Sequence, residues 1–377
     1  MLTEPGSELG TELDTAIVGG GQAGLALAHY LHRAGVRCAV LDANGRVGDS
    51  WRRRWDSLTL FTPNRYNGLP GLPFPGHPDA HPTKDQVADY LEDYAARFGL
   101  PVRLDSPVTS VRPADAPAVH PAPAGPGVFV VETPGERYTA RRVVVAAGAF
   151  HTPQTPRFAD RLSPSVVQVH SSRYRNPAQL AGDDVVVVGA GNTGVQIAEE
   201  LAADGRRVAL SAPTLGPVLP QRWLGRDVFW WFSRLGTMGV GPDSRIGRRL
   251  RAQNPIIGTD VRGLLRRVER LDRVTGADGR DLLLAGGTRR RVDAVVWATG
   301  FRPHYPWLRV PVLDASGAPV HRQGETAWPG LYFLGLPWQR TRGSAVLGWV
   351  GRDAADLAGR LLADAPRAAT RASAQVG

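Results

Sequence analysis

The sequence predicts an α/β protein built from two similar doubly wound units, the second inserted into a discontinuous first. Three observations carry this. A glycine-punctuated strand–turn–helix stands at residues 14–33, and a second with the same spacing begins near residue 185. Short apolar runs that end in small residues, Val143–Gly148 and Asp293–Gly300, have the length and β-branched content of buried strands rather than helices. The chain's 377 residues suffice for two domains.

In the first unit Asp14–Val18 reads as a strand and Gln22–Arg33 as a helix. Gly19, Gly21 and Gly24 occupy the G-x-G-x-x-G positions between them. Gly19 makes the tight turn, Gly21 lets the backbone approach a pyrophosphate, and Gly24 lets the helix pack close on the strand. The unpaired N–H groups and dipole of the helix N-terminus favour that anion. A second strand, Arg37–Leu41, ends in Asp42, about 20 residues on, where an acid meets a ribose hydroxyl. This context makes the unit dinucleotide-binding (Rossmann-like). The loop Asn44–Trp55 is rich in Gly and Trp and suits a large flat cofactor laid along backbone amides and an indole. Pro70–Pro82 is irregular. Lys84–Phe98 predicts an amphipathic helix, apolar at Val87, Tyr90, Leu91, Tyr94 and Phe98. Short strands follow over Val102–Val131, interrupted by Pro113–Gly127, a hairpin loop by composition. Val143–Gly148 then returns to the first sheet and passes under the cofactor.

In the second unit, Val185–Ala198, Gly189, Gly191 and Gly194 repeat the spacing. The next strand, Arg207–Leu210, ends in Ser211-Ala212 rather than an acid. An acid there would repel a 2′-phosphate, whereas Ser211 with Arg206, Arg207 or Arg222 nearby receives one, so NADPH is expected over NADH. Two such units in one chain imply FAD on one and a nicotinamide donor on the other. The aromatic run Asp227–Phe232 leaves three readings open: a substrate mouth, a membrane-touching surface, or packing of a helix between the domains. Asp293–Pro303 reads as the strand that carries the chain back to the first domain. Gly330–Gly335 is a further strand, followed by a loop (Leu336–Ser344) and a closing helix, Val346–Leu362. Such a loop, entering a helix N-terminus, reaches the pyrimidine edge of a flavin and stabilises negative charge there.

Composition removes other classes. The net charge is +10, yet Lys84 is the only lysine and the arginines are spread along the chain, without the basic stripe and exposed aromatics of a nucleic-acid module. The densest patch, Arg245–Arg273, reads as a helix-like solvated face. A single cysteine, Cys38, excludes a disulfide framework or a C-x-x-C pair and points to the cytoplasm; its thiol reads as a small core group. No apolar run reaches transmembrane length, so no integral membrane association is expected. No metal is expected, and Met1–Glu12 reads as a loose arm.

With those residues in view, the chain resembles the class B flavin-containing monooxygenases, nearest to short bacterial and plant YUCCA-type members, from about Leu13 to Leu362. GGGQAG (Gly19–Gly24), GDSWRRRWDSLTLFTP (Gly48–Pro63), VVVAAG (Val143–Gly148), VHSSRYRNP (Val169–Pro177), GAGNTGVQIA (Gly189–Ala198) and ATGFRP (Ala298–Pro303) carry the resemblance, in that order. It implies an FAD domain over residues 12–150 and 291–365 and an NADPH domain over 151–290. The flavin would contact Gly19, Gly21, Gln22, Ala23, Gly24, Asp42, Ala43, Gly48, Ser50, Trp51, Val108, Ala147, Gly148 and Gly335. NADPH would contact Gly189, Gly191, Asn192, Thr193, Gly194, Ser211, Arg222, Ala298, Thr299 and Gly300. The implied chemistry is reduction of FAD by NADPH, formation of a flavin C4a-hydroperoxide with O₂, and transfer of one oxygen atom to a small organic substrate. Asn64, His170 and Gln339 are the candidate catalytic residues, and a homodimer is a possible assembly. Two departures from the family pattern bear on this. Its F-x-G-x-x-x-H-x-x-x-[YF] signature keeps His170 and Tyr174 but has Pro164 and Val166 for Phe and Gly, which changes the linker and puts NADPH affinity in question. The Asn of amine-oxidising members falls at Pro63, with Asn64 adjacent, and YUCCA-type members lack it too. Tyr174 favours hydroxylation over Baeyer–Villiger chemistry. An NADPH-dependent reductase serving an external acceptor and a non-catalytic redox sensor are the competing readings.

Overall fold

The computed structural model describes residues 11–114, 127–252 and 255–364. The first lobe begins with β1 (Thr11–Val18), α1 (Gln22–Arg33), β2 (Cys38–Leu41), α2 (Lys84–Arg97), β3 (Val102–Arg103), β4 (Ser110–Pro113), β5 (Phe129–Glu132) and β6 (Arg137–Val145). The second contains β7 (Val167–His170), β8 (Asp184–Val188), α3 (Asn192–Ala203), β9 (Arg207–Ser211), a hairpin of β10 (Arg222–Trp223) and β11 (Arg226–Asp227), α4 (Val228–Arg234), β12 (Glu269–Leu271) and β13 (Ala294–Trp297). The chain then returns to the first lobe with β14 (Leu331–Phe333) and α5 (Val350–Ala363).

The first sheet runs β3-β2-β1-β6-β5-β4, with β14 parallel to the far end of β6. The second runs β12-β9-β8-β13-β7 and is parallel throughout. Each sheet therefore sets the strand before its glycine turn in the middle, with the next two strands of its unit on one side. Side-chain alternation then divides the core. Ile17, Val40 and Val144 face α1, α2 and α5, while Val18, Leu41 and Val145 face a cluster with Phe129 and Trp328. The second sheet repeats this, with Val185, Val187 and Val296 on α3 and Val186, Val188 and Trp297 on the opposite face. Burial on both faces is what a parallel sheet requires, and it explains the continuous valine runs.

The amphipathic helix expected at Lys84–Phe98 is α2, ending at Arg97. The T-x-x-Q sequence at its start forms a capping box: Gln86 N–H donates to Thr83 Oγ1 (3.3 Å) and Thr83 N–H to Gln86 Oε1 (2.9 Å). Its tyrosines tie down the proline-rich segment. The Tyr90 hydroxyl donates to Leu72 O (2.7 Å), and that of Tyr94 donates to Pro70 O (2.7 Å).

Three expectations are corrected. Thr11 and Glu12 belong to β1, because they continue its pairing with β6, so they are not part of a loose arm; residues 1–10 lie outside the described residues. The strand at 294–297 does not re-enter the first sheet at residue 291. It pairs with both β8 and β7, so the crossing back follows Trp297. Arg245–Arg273 is not one helix: Arg245–Ala252 is helical, and the stretch ends in β12, on the edge of the second sheet. Most of the Pro113–Gly127 loop lies outside the described residues, but its flanks pair antiparallel, Pro113 with Phe129.

Candidate functional site

The two glycine turns are near copies of each other. Gly19 has φ +110° and Gly189 φ +133°, both in the region that favours glycine. A Cβ on Gly19 would stand 2.6 Å from Ala146 O, and one on Gly189 would overlap Ala298 O. Cβ atoms on Gly24 and Gly194 would overlap the carbonyls of Gly19 and Gly189. These glycines are fixed by helix–strand contact. At Gly21 and Gly191 a Cβ would meet nothing within 4 Å, so open space lies over the N-termini of α1 and α3. Neither helix start has a side-chain cap, which leaves its N–H groups free for an anion. Both turns thus fit a dinucleotide pyrophosphate.

The expected neighbours of the first turn assemble around it. Ala146 and Ala147 lie beside Gly19, with Gly148 next in the chain. Gly335, at φ +84°, approaches Ala23 so closely that a Cβ would lie 2.6 Å from that of Ala23. Asp42 accepts from Gly20 N–H (2.5 Å) and from Asn44 N–H (2.8 Å), which holds its carboxylate at the end of β2. Gly48, at φ +88°, opens the helical turn Asp49–Arg52, clamped to α2 by Arg52–Glu92 (2.9 Å) and Arg52–Asp89 (3.0 Å). That clamp aims Trp51, whose indole N–H donates to Gln22 Oε1 (3.3 Å); Gln22 Nε2 in turn donates to Ala345 O (3.2 Å). Ala43 and Ser50 are exposed beside the turn, and Val108 is half-buried against the lower core.

Between the two turns lies a cavity of about 260 Å³. Gln22 and Trp51 line it from the first lobe, and Asn192, Thr193 and Gln196 from the second. Trp55, Leu60, Phe61, Phe150, Phe301 and Leu347 make the rest largely apolar. Arg54 is the cation in this lining. It has no carboxylate partner among the described residues, and its guanidinium lies 5.4 Å from the Phe150 ring centre. Burial, and then the nearby Arg175, lower its pKa.

The candidate catalytic residues are not among those that line this cavity. His170, at the end of β7, is buried. Its Nδ1 accepts from Ser172 N–H (3.1 Å), so its Nε2 carries the proton and donates to Gly300 O (3.1 Å). The imidazole thereby ties β7 to the turn after β13. Gln339 spends both ends of its amide on its own loop, with Leu336 N–H (3.1 Å) and Phe333 O (2.7 Å). Asn64 donates to His77 O (3.0 Å), and its buried Oδ1 has no partner.

The second turn's nucleotide end also differs from expectation. Arg206 and Arg207 stand at the start of β9, committed to the Pro177 carbonyl (2.9 Å) and to Asp184 (2.7 Å). A strand rises about 3.3 Å per residue, so they lie more than ~10 Å from Ser211 and cannot serve a phosphate there. The Ser211 hydroxyl is itself spent on Asp272 O (3.0 Å). Arg222 sits in the hairpin and lines a separate cavity of about 110 Å³ with Arg65, Asp79 and His81. The basic group at the right end is Arg270, which donates to Ala212 O (2.9 Å) and Pro213 O (2.7 Å). Sequence reasoning missed it because only the β9–β12 register, Leu210 opposite Arg270, brings it there. Asn192 is anchored to the segment beyond the helix, accepting from Ile257 N–H (2.9 Å), and Thr193 is free to face the cavity. Ala298 packs on Gly189, with Thr299 and Gly300 following it.

Comparison with known proteins fits this arrangement. The pyridine nucleotide-disulphide oxidoreductase family profile matches residues 16–216. An uncharacterized CzcO-like oxidoreductase of Geobacillus kaustophilus is 43% identical over 93% of this chain and 98% of its own length. The indole-3-pyruvate monooxygenase YUCCA1 of Oryza sativa subsp. japonica is 29% identical over 78% of each chain. The solved flavin-containing monooxygenase of Stenotrophomonas maltophilia superposes with a TM-score of 0.75 at 27% identity, covering 94% of this chain and 99% of that one.

Proposed function

Because the chain belongs to the pyridine nucleotide-disulphide oxidoreductase family, among the class B flavin-containing monooxygenases, we propose that it spends NADPH and O₂ to insert one oxygen atom into an organic substrate held in the cavity between its two glycine turns. The observation that carries this is the cavity itself, whose opposite walls are the starts of α1 and α3. FAD on the first turn and NADPH on the second would supply the hydride and oxygen chemistry when bound. Gly21 and Gly191 admit the two pyrophosphates, and Asp42 takes a ribose hydroxyl. Trp51, steered by Gln22, covers the flat ring, and Arg270 replaces Ser211 as the partner of the 2′-phosphate. His170 and Gln339 are positioning residues. The apolar lining keeps water from the reacting centre.

Arg54 adds a substrate preference. A half-buried cation without a counter-ion in an apolar cavity favours an aromatic or aliphatic molecule that bears an acidic group. The similarity to an indole-3-pyruvate monooxygenase agrees with this. A thiol-exchanging reductase is disfavoured: the one cysteine, Cys38, is buried, and burial, then Asp14, push its thiol up to about 11.

The test is turnover of the FAD-loaded protein with NADPH and isotopically labelled O₂ against a panel of acidic and neutral organic molecules. The expected result is a product carrying a single labelled oxygen atom, formed in step with NADPH oxidation. NADPH oxidation that never labels any product, while an added electron carrier is reduced stoichiometrically, would refute the reading.

A further inference from the structure

The aromatic run that the sequence left open divides into two faces. Val228 and Phe229 of α4 are buried, and the Phe229 ring stacks on Phe61 at 5.7 Å, so the inner face packs against a wall of the cavity. The outer face and the preceding hairpin do the reverse. Of the nine large apolar side chains exposed among the described residues, three stand within residues 222–235: Trp223, Leu224 (72% exposed) and Leu235 (67%). They form one patch. The Trp223 ring lies 5.1 Å from that of Trp231, and Leu235 follows Trp231 by four residues, one helical turn further on.

Leu224 is the most telling member. It and Gly225 form the two-residue turn between β10 and β11, with φ +50° and +74°. Such turns prefer Asn-Gly, because left-handed backbone crowds any Cβ, and leucine lacks the polar group with which Asn offsets that cost. An apolar residue at a strained, solvent-facing tip works against both turn formation and solubility, which marks a contact surface.

The charges around it name the partner. Arg222, Arg226 and Arg234 are exposed and have no carboxylate partner among the described residues; Arg226 lies over the Trp230 ring at 5.4 Å. The segment's one acid, Asp227, is turned inward, accepting from Phe229 N–H (2.8 Å) and Gln221 Nε2 (2.6 Å). We infer that the hairpin Arg222–Asp227 and the outer face of α4 dock on an anionic lipid surface, with Leu224 and Trp223 entering the interface and the arginines meeting lipid phosphates. A second copy fits less well: two such patches would bring like charges together, and a hairpin tip offers far less than the ~800 Å² per partner of a stable interface. Nucleic acid would use the arginines but not the leucine. No helix among the described residues is long and apolar enough to cross a membrane, so this contact is peripheral. Docking does not depend on the oxygenase reading.

The experiment is co-sedimentation of the full-length, FAD-loaded protein with phosphatidylcholine vesicles, with and without phosphatidylglycerol, over a range of salt. Binding is expected on the anionic vesicles, weakening as salt rises, and not on neutral ones. Leu224→Asn places the preferred residue in the turn, so its Tm should hold or rise while vesicle affinity falls about tenfold. Arg226→Gln with Arg234→Gln should cost about fivefold per charge and flatten the salt dependence. Unchanged vesicle binding by Leu224→Asn would overturn the proposal. So would equal binding to both vesicle types, or a Leu224-dependent dimer or nucleic-acid complex in place of vesicle binding. Because NADPH oxidation in solution needs no vesicle, its loss alone would count against the oxygenase reading and leave the docking untouched.

Discussion

The contrast between Gly191 and Gly194 offers the sharpest test of the second cradle. Gly191 has φ −80° and ψ 174°, extended backbone that any residue adopts, and a Cβ there meets nothing within 4 Å. Gly191→Ala therefore creates no strain in the protein alone. Replacing glycine by alanine at a helix start costs about 0.5–1 kcal/mol, a drop in Tm of roughly 1–4 °C for a domain of this size. The added methyl does occupy the space through which a pyrophosphate reaches the α3 N–H groups. Losing one charge-assisted hydrogen bond costs about 1.5–3 kcal/mol, so the Kd for NADP⁺ should rise about 10- to 100-fold. Gly194→Ala is the opposite case. Its Cβ overlaps the Gly189 carbonyl, so α3 must shift from β8, and stability and nucleotide affinity should fall together. Thermal unfolding by circular dichroism and NADP⁺ titration by protein fluorescence read the two quantities separately. A Gly191→Ala variant with unchanged Kd for NADP⁺, whatever its Tm, would refute the assignment of this turn to the nucleotide.

The remaining predictions use the same assays. Arg270→Ser should weaken NADP⁺ by about fivefold, a modest figure because the group is solvent-exposed, and leave NAD⁺ unchanged; equal losses for both would place the 2′-phosphate elsewhere. Arg54→Gln should raise KM for an acidic substrate about tenfold and leave that of its neutral ester unaltered, and a matching rise for the ester would remove the proposed anchor. Burial lowers the His170 pKa in the folded state, against a hydrogen bond to Gly300 O that raises it. The unfolded chain therefore takes up this proton first, and stability falls as pH drops below about 6.5. Tm measured from pH 8 to 5 should decline below that point, and less steeply in His170→Gln; identical slopes would show that the imidazole contributes nothing.

Several features were legible because their physics is local. The glycine spacing encodes a steric requirement within six residues, and the apolar spacing of Val87, Tyr90, Leu91 and Tyr94 marks a helix face. The valine runs announce strands buried on both faces. Other readings failed where the answer depended on long-range register. Arg206 and Arg207 are neighbours of Ser211 in sequence, but they stand at the opposite end of the strand. Arg270 lies some sixty residues further along, yet β9–β12 pairing sets it beside Ala212. The 294–297 strand looked like a return segment, and its place between β8 and β7 follows only from hydrogen bonding across the sheet. His170 and Gln339 have the chemistry of catalytic groups, but backbone partners consume it: Ser172 N–H and the distant Gly300 O for His170, and Leu336 N–H and Phe333 O, close by in the chain, for Gln339.

By itself the sequence determined that this chain folds two nucleotide cradles, because a glycine forced by contact with a carbonyl five residues away is a property of the local backbone. Tertiary structure alone decided what faces the space between them. Which arginine stays unpaired, which amide is spent on its own loop, and which side of the aromatic helix meets solvent all depend on how strands and lobes pack, and a polar group's reactivity is set by the partners that packing leaves it.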